Sequence, residues 1–144
     1  EAARERGVEI LVENNVLTEK TRQACGDEVL LMASYDQIDE MMALMPEDVG
    51  LLLDVAHLNV SAQTLGFDRE KALRSLSTYA RGYHLGNNDG VSDSNLAVTE
   101  DSWFWPDLGD EAKFATLEVA PAPDVDFQEQ VVLVQKLWAD VSRS

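Results

Sequence analysis

Cysteine is almost missing from this chain. The lone Cys25 leaves no internal disulfide and no thiolate zinc site, a usage that fits a reducing cytoplasm. Basic residues are scarce too: 11 Lys and Arg stand against 27 Asp and Glu, a formal charge of −16. A field of that sign repels phosphate backbones and anionic lipid, so neither nucleic acid nor a membrane surface is an expected partner. The same field attracts divalent cations. No apolar run approaches the roughly 20 residues that span a bilayer, and no signal peptide is visible. Histidine occurs only at positions 57 and 84. What is present is globular in kind: 144 residues, 45% of them hydrophobic, suffice for one domain with a real core.

Residues 51–53 are leucine at every position, bounded upstream by Pro46 and Gly50. Such a run suits a strand buried on both faces, as in parallel sheets. It ends in Asp54, with His57 three residues on. A carboxylate and an imidazole at that place are unlike core, and lie where α/β proteins carry their chemistry. Three more short strands follow the same plan: residues 8–12 ending in Glu13, residues 82–85 containing His84, and residues 114–117 ending in Glu118.

The intervening segments read as crossovers. Residues 1–6 form the last turn of a helix ended by Gly7, which leads us to expect a portion upstream. Residues 17–26 read as loop with a helical turn, and 29–32 as a short extended piece. Ser34-Tyr-Asp-Gln37 is a capping box opening a helix whose Ile38, Met41, Met42 and Met45 share a face, stopped at Pro46. A loop is expected after residue 54. Asp68 then caps a helix to about residue 80, with Ala72, Leu73, Leu76 and Tyr79 or Ala80 inward. Residues 86–110 are too long for an ordinary turn, and Trp103-Phe-Trp105 points to an ordered lid or rim. Asp126-Phe-Gln-Glu129 caps a last helix with Val131, Val134, Leu137, Trp138 and Val141 inward. Strand and helix alternate four times, so the expected class is α/β with four consecutive parallel βα units.

Parallel neighbours bring their carboxyl ends together. Glu13, Asp54, His84 and Glu118 would then converge on one point, and three carboxylates with one imidazole suit Mn²⁺ or Mg²⁺, less firmly Co²⁺ or Zn²⁺. Here the chain also resembles a family. Val12-Glu-Asn14, Asp54-Val-Ala-His57, His84-Leu-Gly-Asn-Asn-Asp-Gly90 and Leu117-Glu118 look like the later strand motifs of the xylose isomerase-like TIM barrels. That group holds sugar phosphate isomerases, epimerases and family 2 apurinic endonucleases. The resemblance implies the C-terminal half of a (β/α)8 barrel, residues 1–144 being one half-barrel domain without its N-terminal half.

It further implies a sugar (phosphate) isomerase or epimerase working by proton transfer through an enediolate. Glu13, Asp54, His84 and Glu118 would hold one divalent metal. Glu13 and Glu118 would be the acid/base pair and His57 a substrate contact. Asn14, beside Glu13, and Trp103, in the aromatic rim, are further candidate substrate contacts. Alternatives are an endonuclease-like phosphodiesterase and a non-catalytic assembly domain. Acidity disfavours the first, as does Asn95, which stands where the endonucleases place a second imidazole. The family's Asp is Asn87 here, and its arginine after the strand histidine is absent at Gly90 and Val91. A half barrel is expected to bind metal weakly, to turn over poorly, and to associate as a homo-oligomer or with its missing half.

Overall fold

The computed structural model describes residues 3–141. Glu1 and Ala2, part of the expected helical turn, lie outside these; Arg4–Arg6 form one 3-10 turn, ended by Gly7 at φ +65°. Strands β1 (Ile10–Glu13), β2 (Val49–Asp54), β3 (Ala80–Leu85) and β4 (Phe114–Leu117) make one sheet in chain order, each neighbouring pair parallel. Helices α1 (Glu19–Cys25) and α2 (Tyr35–Leu44) cross from β1 to β2. Helices α3 (Val55–Leu65) and α4 (Arg69–Leu76) cross from β2 to β3, and α5 (Phe127–Val141) follows β4. A parallel sheet that never reverses its strand order is half of a (β/α)8 barrel, laid open. No helix among the described residues is long and apolar enough to cross a membrane.

The two faces of the sheet differ. Leu51, Leu53, Tyr83 and Leu85 are fully buried and pack into one core with Ile38, Leu58, Leu73 and Leu76. Each such leucine contributes about 1.5–3 kcal/mol by leaving water. Tyr83 keeps its hydroxyl satisfied there, donating to Ser77 Oγ at 2.9 Å and accepting from Gly109 N at 3.0 Å. The other face carries Leu11, Gly50, Leu52, Gly82 and Phe114, which the register sets side by side. Phe114 covers Gly82 and remains 43% exposed, so this inner face is open.

Several expectations are corrected. Residues 29–32 are a turn, with Met32 at φ +59° and its side chain buried. The cause is Asn15, whose backbone and side-chain N–H groups take the Met32 and Leu31 carbonyls at 3.0 and 2.8 Å and fold the segment back. Residues 19–25 form a regular helix capped by Thr18 rather than a single turn. No loop follows β2: α3 begins at once. Its burial on almost every side, at Val55, Ala56, Leu58, Asn59, Val60, Ser61 and Ala62, erased the stripe that marks a surface helix. Helix α4 stops at Leu76, and Ala80 opens β3. Val131 faces solvent on α5, while Val134, Trp138 and Val141 pack inward. In α2 the Ser34 hydroxyl caps the Gln37 amide at 3.3 Å, but Gln37 Oε1 has no partner, so the box is half formed.

Candidate metal centre

Register places the site. Glu13 pairs with Leu52, two residues before Asp54 on the same face, and Asp54 pairs with His84. Leu85 pairs with Leu117, so Glu118 follows at the same rim, its amide bonded to the Leu85 carbonyl at 2.9 Å. The four strand-end side chains therefore meet, as parallel pairing requires. Ligand atoms of Glu13, Asp54 and His84 all lie within 4.8 Å of one another. His84 Nδ1 is the common neighbour, 3.1 Å from Glu13 Oε1, 3.5 Å from Glu118 Oε1 and 3.7 Å from Asp54 Oδ2.

Those separations suit a cation. Ligands held at roughly 2.0–2.3 Å around one ion stand roughly 3–4 Å apart from each other. Asp54 carries the sharper signal. It is 1% exposed, and its Oδ2 is buried with no hydrogen-bond partner. Its Oδ1 is used, capping α3 by accepting from His57 N at 2.8 Å. Burial raises the Asp54 carboxyl from 3.8 to about 6, with the nearby Glu118 charge adding to the rise; His57, through its charge and its amide, and His84 pull the other way. An orphaned buried carboxylate oxygen facing an imidazole and two more carboxylates is a donor set that fits a hard divalent ion.

The other sequence candidates divide. Asn14 is 1% exposed and fully engaged: Nδ2 donates to the Asp54 carbonyl at 3.0 Å, and Oδ1 accepts from Asp54 N at 2.7 Å. Its side chain extends the β1–β2 ladder and holds the Asp54 peptide. His57 stands at the rim, with Nδ1–H donating to the Asn14 carbonyl at 2.8 Å. That leaves Nε2 toward Asp93 at 3.4 Å and Asp54 at 3.8 Å. Burial lowers the His57 pKa, yet the Asp54 carboxylate, the Asn14 carbonyl, Asp93 and Glu13 outweigh it, and the net shift is upward. Trp103 has its ring under the Arg69 guanidinium at 4.6 Å and its Nε1 buried without a partner.

Two features had no reading as site residues. Asp93 reaches His57 because residues 88–95 form a hairpin closed by the Asn87–Leu96 bridge. Asn88 pins that hairpin to α3, donating to the Ala56 carbonyl at 2.8 Å and accepting from Asn59 Nδ2 at 2.7 Å. The signal was the cluster of Asn and Asp after His84, but nothing local says which of them turns inward.

Fold and rim together define an α/β chain of the (β/α)8 type with an acidic and imidazole cluster at its carboxyl end. Among solved structures, a protein from Rhodospirillum rubrum ATCC 11170, described provisionally as a xylose isomerase, has this fold, with a TM-score of 0.58 over 99% of this chain at 15% identity. The chain spans 49% of that protein's length. No family model matches the chain, and no curated protein is similar to it.

Proposed function

We propose that the chain is the later half of a divalent-cation-dependent sugar or sugar phosphate isomerase or epimerase, with Mn²⁺ or Mg²⁺ as the ion. Glu13, Asp54 and His84 would hold it, with Glu118 completing the set. The observation that carries the reading is the unpartnered Asp54 Oδ2 beside His84 Nδ1 and the Glu13 carboxylate. When bound, the cation polarises a carbonyl and its neighbouring hydroxyl. Glu13 and Glu118 extend from opposite edges of the sheet toward the same histidine. A substrate carbon between them has a carboxylate on either side, one to take the proton adjacent to the carbonyl and one to return it. His57, its Nδ1–H held by the Asn14 carbonyl, turns Nε2 toward the substrate, an acceptor while the ring is neutral and an N–H donor once it is protonated.

The test is solvent exchange. In D₂O with Mg²⁺, a ketose should gain deuterium beside its carbonyl. Exchange should vanish in Glu118→Gln and Asp54→Asn. Exchange that persists in both variants, or that needs no cation, defeats the proposal.

A further inference from the structure

Asn14, Asp54 and His57 close a ring of hydrogen bonds at the candidate metal centre. Asn14 Nδ2 donates to the Asp54 carbonyl at 3.0 Å, and its Oδ1 accepts from Asp54 N at 2.7 Å. Asp54 Oδ1 accepts from His57 N at 2.8 Å. His57 Nδ1–H then returns to the Asn14 carbonyl at 2.8 Å. Each member holds the next, although 40 and 43 residues separate Asn14 from the other two. Asn14 and Asp54 are each 1% exposed, so water hardly competes for these bonds. Helix α3 fastens the same segment once more, one turn further on. There the Ser61 hydroxyl accepts from Leu17 N at 2.9 Å. His57 and Ser61, four residues apart on one helix face, thus clamp the exit of β1 against α3.

The ring decides how Asp54 meets an ion. Its Oδ1 is committed to the His57 amide as the cap of α3, and Oδ2 alone is left buried without a partner. Turning the carboxylate so that both oxygens face one ion would surrender that cap. Shifting the backbone instead is blocked by Asn14, which holds both the N–H and the C=O of Asp54. Oδ2 therefore stands fixed, 3.7 Å from His84 Nδ1, with Glu13 Oε1 3.1 Å from the same nitrogen. A carboxylate restricted to one oxygen suits a small octahedral ion such as Mg²⁺ or Mn²⁺. Ca²⁺ gathers about six to eight oxygens at longer distances, often two from one carboxylate.

We infer that Asn14 is a positioning residue of the proposed site, and that through this ring it holds Asp54 to one-oxygen coordination and so favours Mg²⁺ and Mn²⁺ over Ca²⁺. This rests on the cation-dependent reading, and the test separates the two. Mn²⁺ affinity of the full chain is measured by calorimetry, and Ca²⁺ affinity by its competition with Mn²⁺. Asn14→Ala should weaken Mn²⁺ by about 10–100-fold and leave Ca²⁺ within about threefold of the parent, so that discrimination narrows. Leu73→Ala opens a cavity in the core on α4 and controls for lost stability; it should leave both affinities at the parental value. Infrared difference spectra of the parent with and without Mg²⁺, with Asp54→Asn as the blank, read the coordination directly. The Asp54 carboxylate bands should show the wide splitting of one-oxygen binding, a result that does not depend on Asn14→Ala folding. Several outcomes overturn the inference: a parent that binds Ca²⁺ as tightly as Mn²⁺, unchanged Mn²⁺ affinity or equal loss of both ions in Asn14→Ala, the same Mn²⁺ loss in Leu73→Ala, or the narrow splitting of a two-oxygen carboxylate. In each of these the parent still binds Mn²⁺ and the metal reading stands. A parent that binds neither ion defeats the metal reading, and this inference with it.

Discussion

Asp54 does two jobs with two oxygens, and they respond differently to substitution. Oδ1 caps α3, while Oδ2 is buried and bare. A carboxyl whose folded pKa rises from 3.8 to about 6 holds its proton longer in the folded state than in the unfolded one. Its contribution to stability is therefore largest at acid pH and declines as pH climbs from about 4 to 6. His57, also shifted upward, acts in the same direction at higher pH. Unfolding free energies from urea titrations in chelator should thus fall on going from acid to neutral pH, by about 2–3 kcal/mol from Asp54. Asp54→Asn keeps a cap as good as the original and should flatten that slope. Added Mn²⁺ should restore neutral-pH stability to the parent and not to the variant. A slope unchanged in Asp54→Asn would place the titration elsewhere. Asn14→Ala should cost about 3 kcal/mol, since it strips partners from both the buried N–H and C=O of Asp54.

The rim is set by how elements end. Helix α3 starts on the residue after β2 because Asp54 terminates the strand and caps the helix together, and Gly66 closes it at φ +78°. Gly82, on β3, and Gly86, just past its end, look alike in sequence but differ in what surrounds them. A methyl group on Gly82 meets the Phe114 ring at 2.5–2.8 Å, and that ring can swing toward the open inner face. The same methyl on Gly86 meets the Glu118 carbonyl at 2.5 Å, which is backbone and cannot yield alone. Gly86→Ala should therefore destabilise by about 2 kcal/mol and weaken Mn²⁺ binding, whereas Gly82→Ala should cost under about 1 kcal/mol. Thermal melts and calorimetry of the pair decide it; the reverse ordering would show that β4 is free to shift.

At the scale of the whole chain, β1 and β4 are the edges of the sheet among the described residues. Ile10 is 46% exposed and Phe114 43%. Unpaired strand edges beside apolar surface favour association, while a charge of −16 opposes it between identical copies. Salt screens that repulsion. Light scattering at micromolar concentration should show oligomers that grow with ionic strength, and a monomer at all salt concentrations rules this out.

Sequence alone determined the alternation of strand and helix, because an apolar run of strand length and a capping residue are local facts. It also marked Glu13, Asp54, His84 and Glu118, since a polar residue ending an apolar strand stands out wherever the strand goes. Local pattern could not reveal α3, whose burial on nearly all sides leaves no stripe, nor show that Asn14 spends its amide on Asp54. Both depend on contacts between residues about 40 positions apart. Only the tertiary structure decided that the strand-end carboxylates come within 3.1–3.7 Å of His84 Nδ1, and that Asp93 turns toward His57. Convergence is a property of register and pairing, which no single strand encodes.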